Sequence, residues 1–234
     1  MPTLDKDPAR ISGMFDSIAP RYDLLNRVLS AGLDQRWRRR AVRELRLKPG
    51  ARVLDLCAGT ADLGLMTTAE HADASVVGVD FSGAMLRLGL KKVRSAGGRI
   101  GLVQGDAVHI PLPDGCCDAA TIGFGIRNVA EPGKALAELA RVLRPGGRLA
   151  ILEFGEPRIP GIRTLYAWYF KYLLPLVGRF VSRHRSAYSY LPASVRTFPP
   201  PAEFARTIER HGFVDVRAVP LTAGIVYLYV AARA

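Results

Sequence analysis

The segment 52–63 constrains the fold of this chain more than any other part of its sequence. A short apolar run that contains Asp55 leads into a turn at Gly59, and apolar residues then recur at helical spacing from Leu63. This order predicts a buried β-strand, a tight turn and the start of an α-helix. In an open α/β sheet, such a unit lies where a nucleotide-like ligand binds. The turn lacks the Gly-x-Gly-x-x-Gly pattern, which disfavours a dinucleotide pyrophosphate.

Acidic residues around this turn favour a ligand that carries positive charge. Asp55 precedes the turn, and Asp62 lies at the predicted helix start, where a carboxylate would repel a phosphate. S-adenosylmethionine carries a sulfonium and an ammonium group and therefore fits these charges.

Two later carboxylates extend the predicted cofactor site. Asp80 ends a second apolar strand, where a carboxylate can accept hydrogen bonds from both ribose hydroxyls. Asp106 ends a third strand, predicted over 99–107, and can accept the adenine amino group while the N–H of Ala107 meets a ring nitrogen. Each acid alone is more typical of a strand end or a helix cap. Together they predict one set of cofactor-binding residues: Asp55, Gly59, Asp80, Asp106 and Ala107.

Strand and helix patterns alternate along the chain after residue 48. Helices are predicted over the remaining periodic segments, at 10–47, 61–70, 83–96, 132–143 and 202–211. Strands at 116–124 and 148–154 and a hairpin of strands at 214–221 and 224–232 complete the pattern. We predict one α/β domain over residues 1–234, with a Rossmann-like, mostly parallel seven-stranded sheet and an antiparallel C-terminal hairpin. A helical cap at 1–48 and a helical, substrate-covering insertion at 156–201 are added to it.

The composition is that of one compact enzyme with a strong positive charge. The chain has 49% hydrophobic residues and a near-average 23% of charged residues, which excludes a disordered protein, and its net charge is +12. Three cysteines, two of them adjacent at Cys116 and Cys117, give neither a disulfide framework nor metal-ligand spacing, so no metal is predicted. A reducing, cytoplasmic location follows. Lys171 and Arg179 interrupt the longest apolar stretch, so no membrane span is predicted.

The positive charge is concentrated in a segment that is also rich in aromatic residues. Residues 157–202 contain seven Lys or Arg residues, no acid and nine of the nineteen aromatic residues. Such a segment can bind single-stranded nucleic acid, lie on an anionic membrane, or form a cap whose arginines are solvated. His184 is predicted to lie on its surface, and the basic run 36–40 is predicted to be the polar face of a helix.

Four blocks spread over nearly the whole chain carry a family resemblance. They are 15–38, which includes Tyr22; the turn 55–62; 123–129, which reads Gly-Phe-Gly-Ile-Arg-Asn-Val; and 188–199, which begins Tyr-Ser-Tyr-Leu. These blocks resemble the C-methyltransferases of menaquinone and ubiquinone biosynthesis. The chain begins just before the first block, so it resembles the demethylmenaquinone branch more than the longer ubiquinone branch.

The resemblance implies a class I methyltransferase fold that binds S-adenosylmethionine and a prenylated hydroquinone. The implied reaction converts demethylmenaquinol to menaquinol, with methylation of a benzoquinol precursor of ubiquinone as the alternative. The resemblance also implies that Thr60 contacts the cofactor. A serine that contacts the cofactor in family members falls on Gly123, which keeps the position in the site without the side chain. Ala61 replaces a glycine of the family's turn and restricts the backbone there.

Methylation of a ring carbon requires a phenolate and a path for the ring proton. Arg127 and Asn128, after the fourth strand, are predicted to stabilise the oxyanion, and Tyr22 and Tyr190 to form the wall of the site, with core packing as the alternative for both tyrosines. A nucleic-acid methyltransferase remains an alternative function. However, the chain lacks both an Asn/Asp-Pro-Pro-Tyr/Phe block and a Pro-Cys pair, so no nucleic-acid partner is expected. Peripheral contact with an anionic membrane is expected, and homo-oligomerisation is left open.

Overall fold

The computed structural model describes residues 7–97, 99–157, 159–169, 172 and 185–234. The strands of this described part are β1 (Arg52–Leu56), β2 (Ser75–Asp80), β3 (Ile100–Gln104), β4 (Cys117–Gly123), β5 (Leu143–Phe154), β6 (Phe213–Leu221) and β7 (Val226–Arg233). They form one seven-stranded sheet in the order β3-β2-β1-β4-β5-β7-β6. β7 pairs antiparallel with both β5 and β6, whereas the other pairs are parallel. The predicted mostly parallel sheet with a C-terminal hairpin is confirmed.

The helices of the described part cover both faces of this sheet. They are α1 (Pro8–Ile18), α2 (Tyr22–Leu29), α3 (Leu33–Glu44), α4 (Asp62–Glu70), α5 (Gly83–Ala96), α6 (Pro132–Val142), α7 (Pro160–Trp168), α8 (Arg185–Thr197) and α9 (Pro201–Arg210). Local sequence signals determine where several of these helices begin or end. Ser82 caps α5 by accepting the Met85 N–H at 3.1 Å, and Gly97 ends that helix with φ +69°.

The order of the strands places the functional edge of the sheet. β2 and β3 lie on one side of β1, and β4 and β5 lie on the other, so the direction of chain progression reverses between β1 and β4. In open α/β sheets the crevice outside the carboxyl ends of the strands at such a point is where ligands bind. The turn after β1 and the end of β4 therefore face a common crevice.

The third of the N-terminal helices, α3, packs into the core of the sheet. On one face of the sheet Trp37, Val42 and Leu45 of α3 are buried together with residues of β4, β5 and β7. The indole N–H of Trp37 donates to Thr222 Oγ1 at 2.9 Å, which fixes α3 to the turn between β6 and β7. The prediction that the basic run 36–40 is the polar face of a helix is wrong at Arg38, which is 5% exposed.

Several predicted boundaries also differ from the observed ones. β5 begins at Leu143, because Leu143 pairs with Cys117 across an irregularity in the register, where the sequence predicted a start at residue 148. β3 ends at Gln104, so Asp106 lies two residues beyond the strand, in an isolated bridge with His109. The predictions that involve Lys171, Arg179 and His184 lie outside the described residues.

Candidate active site

A cavity of about 290 Å³ opens at the carboxyl ends of the strands, and we call it the strand-edge cavity. Its wall includes most of the residues that the sequence assigned to the cofactor and two of those assigned to the chemistry. These residues are Gly59, Asp80, Asp106, Ala107, Gly123, Tyr22 and Asn128. Ile11, Ser12 and Phe15 of α1 line the same cavity, so the N-terminal helix contributes to its wall.

Asp80 is held rigidly at this cavity by two backbone donors. Gly59 N–H donates to Oδ2 at 2.7 Å, and Ser82 N–H donates to Oδ1 at 2.8 Å. Burial raises the pKa of Asp80, and these backbone hydrogen bonds oppose the rise. Each carboxylate oxygen retains capacity to accept a further hydrogen bond. The carboxylate is thus preorganised to accept a pair of vicinal hydroxyl groups.

Asp106 and Ala107 follow β3 and line the same cavity as Asp80. Asp106 Oδ1 accepts the Val108 N–H at 3.1 Å, and the neighbouring Gly105 N–H donates to the Asp80 carbonyl at 3.0 Å. The two loops are therefore hydrogen-bonded to each other. The strand-edge cavity has acceptors from both loops in its wall, as a nucleoside requires.

Asp55 and Thr60 lie outside the wall of the strand-edge cavity. Asp55 is buried below the turn, where Oδ2 accepts the Gly64 N–H and Oδ1 accepts the Thr121 hydroxyl, both at 3.0 Å. Burial raises the pKa of Asp55 to about 7. Thr60 donates its hydroxyl to Asp23 Oδ1 at 2.5 Å and lines a small cleft beside the turn. Asp55 therefore anchors α4 to the sheet, and Thr60 faces the N-terminal helices.

Asp62 faces protein cations and not the strand-edge cavity. Its carboxylate forms a hydrogen-bonded ion pair with Lys92, which also pairs with Asp23 at 2.8 Å. Arg38 lies 3.9 Å away on another side. The charge that the sequence assigned to a cationic ligand is therefore largely balanced within the protein.

A second cavity, of about 300 Å³, lies under the N-terminal helices, and we call it the cap cavity. Its wall is mainly aliphatic and aromatic, with residues from α1, α2, α3, α7, α8 and the end of β5. Arg38, Asp34 and Arg127 are the charged residues of the wall among those described. Among the described residues, three line both cavities: Phe15, Tyr22 and Phe124. A cavity with carboxylates in its wall and a mainly apolar cavity of similar volume therefore share one wall.

Arg127 lies in the wall of the cap cavity, where it is held tightly. Nη1 donates to Glu153 Oε1 at 2.7 Å and to the Phe124 carbonyl at 2.5 Å, and Nε donates to Ser194 Oγ at 3.3 Å. Within the described part of the chain, Nη2 is the guanidinium nitrogen without a protein acceptor. Arg127 can therefore offer one donor to a ligand, but Glu153 balances its charge.

Asn128 links the two sides of the site. Tyr190 donates its hydroxyl to Asn128 Oδ1 at 3.1 Å, which connects α8 to the loop after β4. Asn128 Nδ2 lies 3.5 Å from the Phe124 carbonyl, and Phe124 has a left-handed backbone with φ +61°. A bulky residue in this conformation is strained. Arg127 and Asn128 hold this strained turn in place.

Tyr22 lies between the two cavities. Its ring packs edge-on against Phe15, with the ring centroids 6.1 Å apart. Burial raises the pKa of the Tyr22 phenol, although Arg38 and Asn26 oppose the rise. Tyr22 is thus a neutral wall residue near neutral pH and could serve as a hydrogen-bond donor.

Sequence reasoning missed Arg38 and Glu153 as residues of the site. Arg38 stands three, four and seven residues before Ala41, Val42 and Leu45, so the helical period already placed it on the buried face. Glu153 carried a weaker signal, an acidic residue near the end of a strand that otherwise reads as apolar.

Comparisons with known proteins agree on one family. A curated relative from Syntrophotalea carbinolica, named Ubiquinone/menaquinone biosynthesis C-methyltransferase UbiE, is 50% identical over 94% of this chain and 92% of its own length. The Demethylmenaquinone methyltransferase of Thermus thermophilus is 46% identical over 94% of this chain and all of its own. A solved S-adenosylmethionine-dependent methyltransferase from Aquifex aeolicus has a TM-score of 0.63 at 20% identity, over 97% of this chain and 99% of its own, and supports the fold alone. The model of the ubiE/COQ5 methyltransferase family matches residues 3–233, and the chain belongs to this family.

Proposed function

We propose that this chain transfers the methyl group of S-adenosylmethionine to a ring carbon of a prenylated hydroquinone, with demethylmenaquinol as the acceptor. The family and the relative from Thermus thermophilus support this assignment. The observation that carries it is the pair of cavities that meet at Phe15, Tyr22 and Phe124. Methyl transfer needs a polar nucleoside site and an apolar acceptor site in direct contact.

The strand-edge cavity fits the nucleoside part of the cofactor. Asp80 would accept the ribose hydroxyls, and Asp106 and Ala107 would meet the adenine edge. When bound, S-adenosylmethionine supplies an electrophilic methyl group on a sulfonium. The absence of a phosphate-binding glycine pattern and the carboxylates of the wall agree with a cofactor that carries no phosphate.

The cap cavity fits an aromatic ring with an isoprenoid tail. Its aromatic wall includes Phe154, Tyr166 and Tyr169 and would shield the reacting carbon from water. Arg127 and Tyr190, which line the same cavity, would orient a ring oxygen through hydrogen bonds. The protein thus holds the acceptor in line with the methyl donor.

The decisive test is transfer of a labelled methyl group by the purified chain. Demethylated naphthohydroquinone should be methylated with the highest kcat/KM, a benzohydroquinone more slowly, and RNA not at all. A preference for the benzohydroquinone would assign the ubiquinone branch. Labelling of RNA with no labelling of either quinol would overturn the proposal in favour of a nucleic-acid methyltransferase.

The isoprenoid tail of the proposed acceptor favours the apolar interior of a bilayer. It therefore further supports peripheral contact of the protein with an anionic membrane. Leu24 and Val28 lie one turn apart on α2 and are 57% and 54% exposed. Trp168 and Tyr172 are exposed to a similar degree, with ring centroids 5.8 Å apart. Tyr169 donates to the Leu29 carbonyl at 3.0 Å, which brings the two groups of residues together beside the cap cavity. Among the described residues, no helix combines the length and the hydropathy needed to cross a bilayer.

Vesicle co-sedimentation tests this contact. The protein should bind vesicles that contain anionic lipid, bind neutral vesicles less, and lose binding as salt screens the surface charge. Replacing Leu24 and Val28 by serine should weaken binding, whereas Val214→Ser, at a position on β6 that is 46% exposed, should not. Equal binding to neutral and anionic vesicles, or no binding to either, would refute the contact.

A further inference from the structure

Arg38 is a buried cation to which the proposed function assigns no role. It is 5% exposed, lines the cap cavity, and borders the cleft beside the glycine turn. Its guanidinium lies 5.5 Å from the centroid of the Phe124 ring, which faces both cavities. Arg38 is therefore close to the wall at which the two cavities meet.

The hydrogen-bonding capacity of Arg38 is incompletely satisfied. Its Nε lies 3.8 Å from Asp34 Oδ2 and 3.9 Å from Asp62 Oδ2, beyond hydrogen-bond distance, and it has no hydrogen-bond partner among the described residues. Asp34 and Asp62 are also shared with other cations, Arg27 and Lys92. A buried guanidinium without full hydrogen bonding is costly unless a ligand completes its partners.

Arg127 differs from Arg38 in this respect. Glu153 contacts Arg127 Nη1 at 2.7 Å and also accepts its backbone N–H at 3.1 Å, so this cation is paired before any ligand arrives. Of the two arginines in the wall of the cap cavity, Arg38 is the one that lies farther from the carboxylates that balance its charge.

We propose that Arg38 binds a ring oxygen of the quinol and stabilises it as the phenolate that attacks the methyl group. This inference rests on the proposed function. The phenol proton leaves to water, the ring carbon forms a bond to the methyl carbon as the S–CH₃ bond breaks, and the sulfonium becomes a neutral thioether. Loss of the proton from the methylated ring carbon to water then restores the aromatic ring.

Gly123 is the position that gives Arg38 this space. A Cβ atom built on Gly123 would lie 3.0 Å from Arg38 Nη1 and 2.7 Å from Leu63 Cδ1. A glycine at this position therefore lets the guanidinium approach the end of β4.

The test measures ionisation of a bound phenol. 1-Naphthol is a redox-stable probe of the quinol ring, and its phenolate has a distinct ultraviolet absorbance. The bound probe should ionise at a lower pH than the free probe in the native protein and in Arg38→Lys. Arg38→Met should raise its pKa by at least about one unit, a tenfold loss in the ionisation constant. Arg148→Met should leave the pKa unchanged, because Arg148 also has an unpartnered Nε but lines neither cavity.

The acidic limb of the pH profile of kcat for naphthohydroquinone, which reports ionisation in the enzyme–substrate complex, provides a second readout. It should move to higher pH in Arg38→Met and stay near its native position in Arg38→Lys. Charged or titratable groups that face Arg38 are Asp34 on α3, Asp62 on α4, Tyr22 on α2 and Asp55 on β1, and all are retained in these variants.

An unshifted probe in the native protein, or equal shifts in native protein and Arg38→Met, would overturn the role of Arg38. The native comparison can overturn the role of Arg38 even if Arg38→Met does not fold. Failure of the native protein to methylate either quinol would instead overturn the proposed function.

Discussion

Glu153 Oε1 lies 2.7 Å from Arg127 Nη1, and Glu153 Oε2 accepts the backbone N–H of the same arginine at 3.1 Å. Glu153 is 0% exposed and Arg127 is 6% exposed. The carboxylate therefore fixes both the side chain and the backbone of Arg127. Breaking such a buried pair leaves an uncompensated charge in the interior.

Glu153→Gln should lower the free energy of unfolding by about 3–5 kcal/mol, because Arg127 would lose its counter-charge. Urea denaturation measures the change. Glu70→Gln, which breaks exposed ion pairs to Arg39 and Arg43, is the control and should cost less than about 1 kcal/mol. In the Glu153→Gln protein, Arg127→Met should lower the free energy of unfolding by less than it does in the native protein. Additive losses would contradict the coupling of the pair.

Asp80→Asn should weaken S-adenosylmethionine binding about 10- to 100-fold, equivalent to roughly 1.5–3 kcal/mol. The reason is loss of a charged acceptor that backbone donors hold in place. Calorimetric titration gives the affinity. Asp73→Asn is the matched control, since Asp73 also accepts a backbone N–H, from Gly50 at 2.7 Å, but lies away from both cavities. Unchanged affinity in folded Asp80→Asn would remove Asp80 from the cofactor site.

Asp55→Asn should change how stability depends on pH. Burial raises the pKa of Asp55 from 3.8 to about 7, so the folded state holds its proton more tightly than the unfolded state does. The contribution of protonated Asp55 to the free energy of unfolding is fully present below the unfolded pKa. It is lost as pH rises through the folded pKa, by roughly 4 kcal/mol at most. The amide has no such charge to bury. It can also retain the network, because Thr121 can instead donate to the Leu54 carbonyl.

Urea denaturation at several pH values tests this expectation. The stability of Asp55→Asn relative to the native protein should increase as pH rises from about 4 to about 8. The control is Asp118→Asn, which removes a partly exposed acceptor of the Arg52 N–H. The same trend in both variants would show that the effect does not come from the buried carboxylate at Asp55.

Gly123→Ala should destabilise the fold by about 1–3 kcal/mol, because the added methyl group would overlap Leu63 and crowd Arg38. Gly101→Ala is the control, since a Cβ atom at this other strand glycine would meet nothing within 4 Å. Thermal unfolding compares the two variants. If Gly123→Ala were as stable as Gly101→Ala, the close packing around Gly123 would be refuted.

The fold was largely predictable because its signals are local. α5 spans the predicted residues 83–96, and the C-terminal hairpin lies within two residues of its predicted bounds, since capping residues and apolar periodicity set both. The placement of Gly59, Asp80, Asp106 and Ala107 at one cavity likewise follows from strand ends meeting at one edge. Their contacts with the cofactor remain predictions.

The partners of individual charges were not predictable, because they depend on distant segments. Thr60 meets Asp23, 37 positions away, and Arg127 meets Glu153, 26 positions away. No pattern in either local segment specifies these pairs. Helical periodicity indicates that Arg38 is buried, whereas the charged residues next to it in the sequence suggest an exposed position. Charge in a sequence indicates a surface on average, whereas a helix buries whichever residues its period turns inward.

The wall formed by Phe15, Tyr22 and Phe124 means that the two ligands do not bind independently. Any displacement of α1 or α2 that widens one cavity changes the other, since the same rings face both. The affinities for methyl donor and acceptor are then coupled, and the coupling is equal in both directions. A methylated acceptor that still fills its cavity will therefore change the affinity for the spent nucleoside through three shared side chains.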